Sequence, residues 1–447
     1  MIEIIKIKKD KIFSAIIVFL LLTGYCLVAG LSLIIPLLLL TYGFHLILFK
    51  RADSRRLLHL SLLLVLVVAG AFAMTQYSRF CPYFVPVASV AMLTMLLFND
   101  LQLSFSMSFM ASSLVALTVG VSLDYMLVMF IGGLVGAYAV RDARTRGAVL
   151  WAGLMVGAVQ ALGFFLAHPG WSKELFIDDM RPLLINGFLV AGFVLATLKL
   201  FEILFGELTS FSLLELSDSL NQPLLKRLAF EAPGTYHHSL VLSNLAGAAA
   251  DAIGANALLT RVGAYYHDIG KLEKPEYFTE NQMMADNKHD ELEPSMSRLV
   301  ILNHVKEGVE TALKHKLSPR IIDFIQQHHG TSVIHYFYQK ALEGEEAEAV
   351  HEENYRYPGP KPRSREVAIV LLADSVEGAT RAMDEHTPTR IDEVVRKVVN
   401  NKFIDGQLDE CNLTLREIEA ICTTFSRVLS AMYHVRVKYP NPNKNGH

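Results

Sequence analysis

The nine residues Gly263-Ala-Tyr-Tyr-His-Asp-Ile-Gly-Lys271 set an imidazole and a carboxylate side by side at the end of an apolar, helix-forming run. The pattern over 257–269 predicts a helix stopped by Gly270. A lone histidine in such a helix is usually a satisfied core or surface residue. A buried carboxylate without partners is costly, however, so His267 and Asp268 call for company. Further along the chain the same half supplies it. His238 stands in Tyr-His-His-Ser, His304 in Asn-His-Val, His328 and His329 in Gln-His-His-Gly-Thr, and Asp374 in Ala-Asp-Ser. A shared metal would satisfy all seven groups. Imidazole and carboxylate without thiolate suit iron, manganese, cobalt or zinc. Seven ligands are too many for one tetrahedral ion and suit two, with one carboxylate bridging. Two cations about 3.5–4 Å apart can activate a bridging water and hold a phosphate oxygen. Lys271, one turn past His267, would then neutralise a phosphate, or simply complement a helix C-terminus.

Helical signals surround this set. Residues 236–254 are rich in Ala and Leu and end at Gly254. Ser318-Pro319 reads as an N-cap with a first-turn proline. Thr414 and Glu417 form a capping-box pattern. No run of strands is convincing, so the expected fold class is all-α: a multi-pass transmembrane helical bundle followed by an all-α metal-dependent phosphohydrolase domain. Two irregular stretches interrupt the helices. Residues 275–296 follow the His-Asp motif and are expected to form either a substrate lid or a solvated connection. Residues 343–365 join an acidic run to Tyr357-Pro-Gly-Pro-Lys-Pro362.

The chain has 447 residues and is 52% hydrophobic, an excess that sits almost wholly before residue 206. A bilayer needs roughly 20 apolar helical residues per crossing. Eight spans are expected, at 13–30, 31–49, 56–76, 83–98, 102–120, 122–140, 148–167 and 183–205. Lys6, Lys8, Lys9 and Lys11, then Lys50, Arg51, Arg55 and Arg56, then Arg141, Arg144 and Arg146 flank these spans. Eight crossings put every basic cluster, and both termini, on the cytoplasmic side. A cleaved signal peptide over 1–30 is the rival reading, but its apolar stretch runs straight into more apolar sequence. His45 and Asp124 lie near span boundaries and are expected at the interface. The expected organisation is a transmembrane domain at 1–206, a connector at 207–235 in which Pro223 breaks the apolar pattern, a hydrolase domain at 236–435 and a tail at 436–447. The formal net charge of −3 argues against polyanion binding by bulk charge, so no DNA or RNA partner is expected. Cys26, Cys81, Cys411 and Cys422 lack the spacing of a zinc or redox motif and read as unpaired thiols.

The longer motifs resemble a known family. His-Asp with an upstream histidine and a downstream aspartate is similar to the HD phosphohydrolase signature. Glu231-Ala-Pro-Gly-Thr-Tyr-His-His-Ser239, Gly263 to Lys271, Gln327-His-His-Gly-Thr331, Tyr357 to Pro362 and Asp405-Gly-Gln-Leu-Asp-Glu-Cys411 resemble the seven-transmembrane-receptor HD proteins of the PgpH type over about residues 31–435. The resemblance implies hydrolysis of cyclic di-AMP to pApA by a two-metal site holding iron or manganese. It implies that one metal takes His238, His267, Asp268 and Asp374, and the other His304, His328, His329 and the bridging Asp268. His238 is preferred to His237 because the family's helix begins with that histidine followed by a small residue. Asp268 and Lys271 become the catalytic expectations, with Lys271 and Thr331 binding substrate. The expected partners are a cyclic dinucleotide and the lipid bilayer, with a homodimer as a further expectation, and the expected location is the inner cell membrane with the HD domain in the cytoplasm. The sequence departs from the family in that the first span runs almost directly into the next, where members usually carry a large extracytoplasmic domain.

Other functions compete. HD-GYP proteins hydrolyse cyclic di-GMP and carry Gly-Tyr-Pro after the paired histidines, whereas Gly330-Thr331-Ser332 follows here. Nucleotidases and alarmone hydrolases of the HD class usually have fewer ligands. Mixed cyclic AMP-GMP stays open, because no residue visibly reads a base edge. A non-catalytic membrane receptor would show lost ligands, and none is lost.

Overall fold

The computed structural model describes Thr23 and residues 54–77, 81–168, 170, 172–219, 221–282, 287–343 and 350–433. Apart from Thr23, the two spans expected at 13–30 and 31–49, with Cys26, His45 and the junction between those spans, lie outside the described residues, as does the tail. The chain divides into two compact units, Met1–Phe211 and Ser212–His447, taken here one at a time.

The first unit is a helical bundle. Its described helices are α1 (Ser54–Tyr77), α2 (Ala88–Phe98), α3 (Leu101–Val119), α4 (Leu123–Ala139), α5 (Arg146–Ala167) and α6 (Arg181–Phe205), the last preceded by a π-helical turn at Phe176–Met180. Local chemistry sets their ends. Asp100, Ser122 and Thr145 each accept a hydrogen bond from the N–H three residues on, at Leu103, Tyr125 and Ala148. Gly120 and Gly206 close α3 and α6 in the left-handed region. Four helical stretches, Arg55–Thr75, Leu101–Val119, Arg146–Ala167 and Phe176–Phe205, are long and apolar enough to cross a bilayer. The spans expected at 83–98 and 122–140 fall on shorter apolar helices, Pro82–Phe98 and Leu123–Ala139. Trp151, Leu166, Phe188, Leu200 and Ile203 face outward, each well over half exposed. An apolar exterior of this extent is what lipid contact requires, and the unit is a membrane bundle. Asp124 sits in the first turn of α4, 4.0 Å from His168, at a helix end.

The second unit is all-α. Among the described residues its β content is one isolated bridge, Val333 to Arg356. A connecting helix, α7 (Ser210–Ser217), leads to α8 (Pro223–Glu231). Pro223 therefore opens a helix instead of breaking one, since its missing N–H costs nothing in a first turn. Helix α9 (Pro233–Ala252) begins three residues earlier than expected for the same reason. Then follow α10 (Ala257–Tyr266), α11 (Pro294–Lys314), α12 (Pro319–Gln327), α13 (His335–Leu342), α14 (Arg365–Arg381), α15 (Pro388–Ile404) and α16 (Leu415–Met432). Ser318 caps α12 with Pro319 in its first turn, and Thr414 and Glu417 complete a capping box on α16. Helix α9 is central, packing against α8, α10, α14 and α16. Helix α14 is buried on all sides from Val367 to Ala373, which explains an apolar run without a polar face. Cys81, Cys411 and Cys422 are free thiols.

Candidate metal centre

Helix α10 ends at Tyr266, short of the expected Ile269, because the backbone turns at His267 and Asp268 into a 3-10 turn over Ile269–Glu273. Gly270 makes this possible. A Cβ there would overlap the carbonyl oxygen of His304 and meet the Gly308 amide at 2.5 Å. The turn thus lies directly on the α11 backbone. Both motif side chains point inward, with His267 fully buried and Asp268 2% exposed.

The structure brings all seven expected ligands together. Asp268 Oδ2 lies 3.2 Å from His267 Nε2, and Asp268 Oδ1 lies 3.4 Å from His304 Nε2 and 3.5 Å from His328 Nε2. Asp374 on α14 reaches His238 Nε2 with one oxygen at 3.2 Å and His329 Nδ1 with the other at 3.7 Å. Ligand atoms of Asp268, His304, His328 and His329 all lie within 4.8 Å of one another, as do those of His238, His267 and Asp268. Asp268 belongs to both groups. Of the neighbouring histidines, His238 is buried and His237 is exposed, so helix geometry selects His238.

Protonation prepares these atoms for a cation. Nδ1 of His267 faces Ala264 O, that of His304 faces Ile301 O, and that of His328 faces the carbonyls of Phe324 and Ile325. A carbonyl only accepts, so each Nδ1 donates to its own helix and each ring turns its Nε2 toward the cluster. His304 Nε2 and His328 Nε2 lie 3.4 Å apart, a spacing at which both could ligate one cation. His267 Nε2 and Asp268 Oδ1 are fully enclosed without a hydrogen-bond partner, and buried polar atoms are rarely left so. Burial pushes the His304 pKa down to about 3, outweighing Asp268. Burial also raises the cost of ionising Asp268, but His267 and Lys271 hold it well below the usual carboxylate range. Burial likewise disfavours the His238 imidazolium, yet Asp374 and Glu377 together lift its pKa to about 10. The donor set fits metal ions, and this His/Asp cluster can hold them.

The residues around the cluster were less visible in the sequence. Glu377 Oε2 accepts from His238 Nδ1 at 3.0 Å, the carboxylate support that orients a ligating histidine. It lies one turn beyond Asp374 on α14, so helical spacing alone could have flagged it. Lys271 Nζ sits 2.7 Å from both Asp268 Oδ2 and Glu280 Oε1 and over the Phe278 ring. Phe278 and Glu280 come from the 275–296 stretch, described as 3-10 turns at Pro275–Tyr277, Thr279–Asn281 and Lys288–Glu291. Thr235 Oγ1 donates to Glu280, and Asn281 accepts from the Thr235 amide, so this part of the stretch forms a fixed wall. No sequence signal points to Glu280. Thr331 is held by Gln407 through both its amide and its hydroxyl, which accounts for the Asp405-Gly-Gln407 motif. The HD half has two open cavities of about 560 Å³, and one of them reaches the cluster at His238. One is lined by His237, His238, Glu280, Glu377 and Arg381, and the other by Arg356, Ser375 and Lys402.

Residues 14–209 match the sequence model described as a 7TM receptor with intracellular HD hydrolase, and residues 235–379 match that of the HD domain. The chain belongs to the seven-transmembrane-receptor HD family. This 7TM-HD protein is 38% identical over 392 residues to the cyclic-di-AMP phosphodiesterase PgpH of Bacillus subtilis (strain 168), covering 86% of this chain and 55% of that protein. It is 37% identical over 382 residues to PgpH of Listeria monocytogenes serotype 1/2a (strain 10403S), covering 83% and 52%. The solved HD domain of L. monocytogenes PgpH in complex with cyclic-di-AMP is 48% identical, covers 49% of this chain and all of that one, and has a TM-score of 0.46. The 7TM-HD chain spans about half the length of the curated relatives it matches.

Proposed function

We propose that this chain is a membrane-anchored, metal-dependent phosphodiesterase that hydrolyses a cyclic dinucleotide, cyclic di-AMP to pApA. The observation that carries this reading is the gathering of five histidines into two groups that share Asp268, with Asp374 joining His238 of one to His329 of the other. Relatives named as cyclic-di-AMP phosphodiesterases match 86% and 83% of the chain, which supports the choice of substrate. His238, His267, Asp268 and Asp374 would hold one divalent cation, and His304, His328, His329 and Asp268 the other. Nitrogen and oxygen donors without thiolate suit iron, manganese, cobalt or zinc, and the family resemblance narrows the choice to iron or manganese.

Cations bound there would supply an activated water and charge to offset the phosphate. The rest falls to the protein. Asp268 stays ionised under the influence of its histidines and Lys271, and its two oxygens face the two ligand groups. Lys271 keeps the two carboxylates it touches from repelling an incoming phosphate. Glu377 fixes the His238 ring. In the reaction one water adds to phosphorus, one bridging P–O bond breaks, and the departing ribose oxygen takes a proton.

The full chain in detergent, loaded anaerobically with iron or manganese, is expected to bind about two metals per chain. It is expected to convert cyclic di-AMP to pApA faster than cyclic di-GMP or cyclic AMP-GMP. A single tightly bound zinc would reject the two-metal assignment, and turnover of cyclic di-GMP alone would reject the substrate.

We also propose that the HD half lies in the cytoplasm. The basic cluster Arg141, Arg144 and Arg146 and the acidic stretch around Glu174 to Asp179 support this side. Reporters fused after Arg146 and after the C-terminus are expected on the inside, and one after Asp178 on the outside. An outside signal at Arg146 would overturn this placement.

A further inference from the structure

We propose that Tyr357 holds His329 in place with its ring and donates a hydrogen bond from its hydroxyl to the substrate phosphate. The inference rests on the phosphodiester-hydrolase reading above and concerns a residue to which that reading gives no role.

Four of the five histidines are oriented through Nδ1. His267, His304 and His328 use carbonyls of their own helices, and His238 uses Glu377. His329 has no such bond among the described residues. Its Nδ1 lies 3.7 Å from Asp374, too far for a hydrogen bond. The Tyr357 ring takes over that task by packing. It stacks on His329 with centroids 4.2 Å apart at 24°, and presents itself edge-on to His304 at 6.3 Å and 81°. Tyr357 is 8% exposed.

Its backbone is clamped to the segment that carries the paired histidines. The Tyr357 amide donates to Ser332 O at 3.0 Å, and the Ile334 amide donates to Tyr355 O at 2.8 Å. Next to it, Arg356 donates to Thr331 O and pairs with Glu352 and Asp405. The ring is therefore delivered to one face of His329 by a braced strand-like segment.

The hydroxyl is the uncommitted part. It makes no hydrogen bond to any described residue, yet it is not among the fully enclosed polar atoms. With the ring packed on His329 and edge-on to His304, the hydroxyl at the tip of the side chain lies beside the cluster. Donors are scarce there. The carboxylates only accept, the imidazole nitrogens turned to the cluster are those that would hold the cations, and Lys271 is taken by Asp268 and Glu280. A phosphate oxygen entering the centre needs a donor aimed at it, and the phenol O–H is one that no protein group claims.

The test compares Tyr357→Phe and Tyr357→Leu in the full chain, metal-loaded in detergent. Three quantities are read: metal content, kcat and KM for cyclic di-AMP, and the affinity for inorganic phosphate by calorimetry. Tyr357→Phe is expected to keep the wild-type metal content, to lose about 10- to 100-fold in kcat/KM, and to bind phosphate about 10-fold more weakly, the scale of one hydrogen bond to a charged group. Tyr357→Leu is expected to lose metal as well, because His329 is no longer held. Wild-type turnover and phosphate affinity from Tyr357→Phe would overturn the proposal. So would metal loss from Tyr357→Phe equal to that from Tyr357→Leu. If wild type fails to cleave cyclic di-AMP, the substrate reading falls, while the ratio of phosphate affinities still decides the role of Tyr357.

Discussion

Asp268→Ala is expected to lose metal and turnover together. Asp268 is the residue common to both ligand groups, with one oxygen facing His267 and the other facing His304 and His328. Its removal leaves histidines that cannot supply a shared anionic ligand. Metal affinity is coupled to ligand count and charge, so metal content should fall in the same samples. Turnover of cyclic di-AMP should drop by about three orders of magnitude or more, the scale of losing a group that acts as part of a unit. Lys271→Ala is the informative companion. Lys271 touches Asp268 and Glu280, so its loss removes charge compensation and leaves the ligand set whole. Turnover should fall only in part, with metal retained. Wild-type turnover by Asp268→Ala would end the metal-centred mechanism. A dead Lys271→Ala that kept its metals would give the lysine a larger part than this one.

Gly270→Ala is expected to have nearly as large an effect without removing any ligand. The new Cβ would overlap His304 O and press on the Gly308 amide. Both are backbone, so neither can swing aside as a flexible side chain would. The turn must lift from α11, which parts Asp268 from His304. Overpacking of this kind costs about 1–3 kcal/mol or more, and a displacement of about 1 Å at a reacting centre can cost on the order of 100-fold in rate. Thermal unfolding, metal content and turnover should all worsen. Gly254→Ala serves as control. It is strained by its φ of +65° but meets nothing within 4 Å, so it should lose stability while keeping metal and turnover. A Gly270→Ala protein with wild-type metal content and activity would show that the close approach of the turn to α11 is not what assembles the centre.

Much of this was readable along the chain. The apolar runs of the first half mark membrane helices because a bilayer demands length and low polarity, both local properties. Pro319 with Ser318, and Thr414 with Glu417, mark helix starts because caps act within one turn. The seven ligand types were legible because each stands out against apolar neighbours that give it no partner. Readings that depended on continuing a local pattern fared less well. The helix expected to run to Ile269 stops at Tyr266, because contact with α11 overrides its periodicity. Pro223 begins a helix in a place where it looked like an interruption.

By itself the sequence determined an all-α chain with a membrane half and a His/Asp ligand set, because composition, caps and residue chemistry are carried residue by residue. Only the tertiary structure decided which atoms meet. It set Asp268 between the two ligand groups, put Asp374 within reach of both His238 and His329, braced His238 with Glu377 from another helix, tied Lys271 to a carboxylate from the wall, and laid Tyr357 on His329. Apart from Lys271 with Glu280, which are 9 residues apart, these contacts join segments far apart in sequence, and their spacing along the chain holds no record of the distance that packing finally leaves between them.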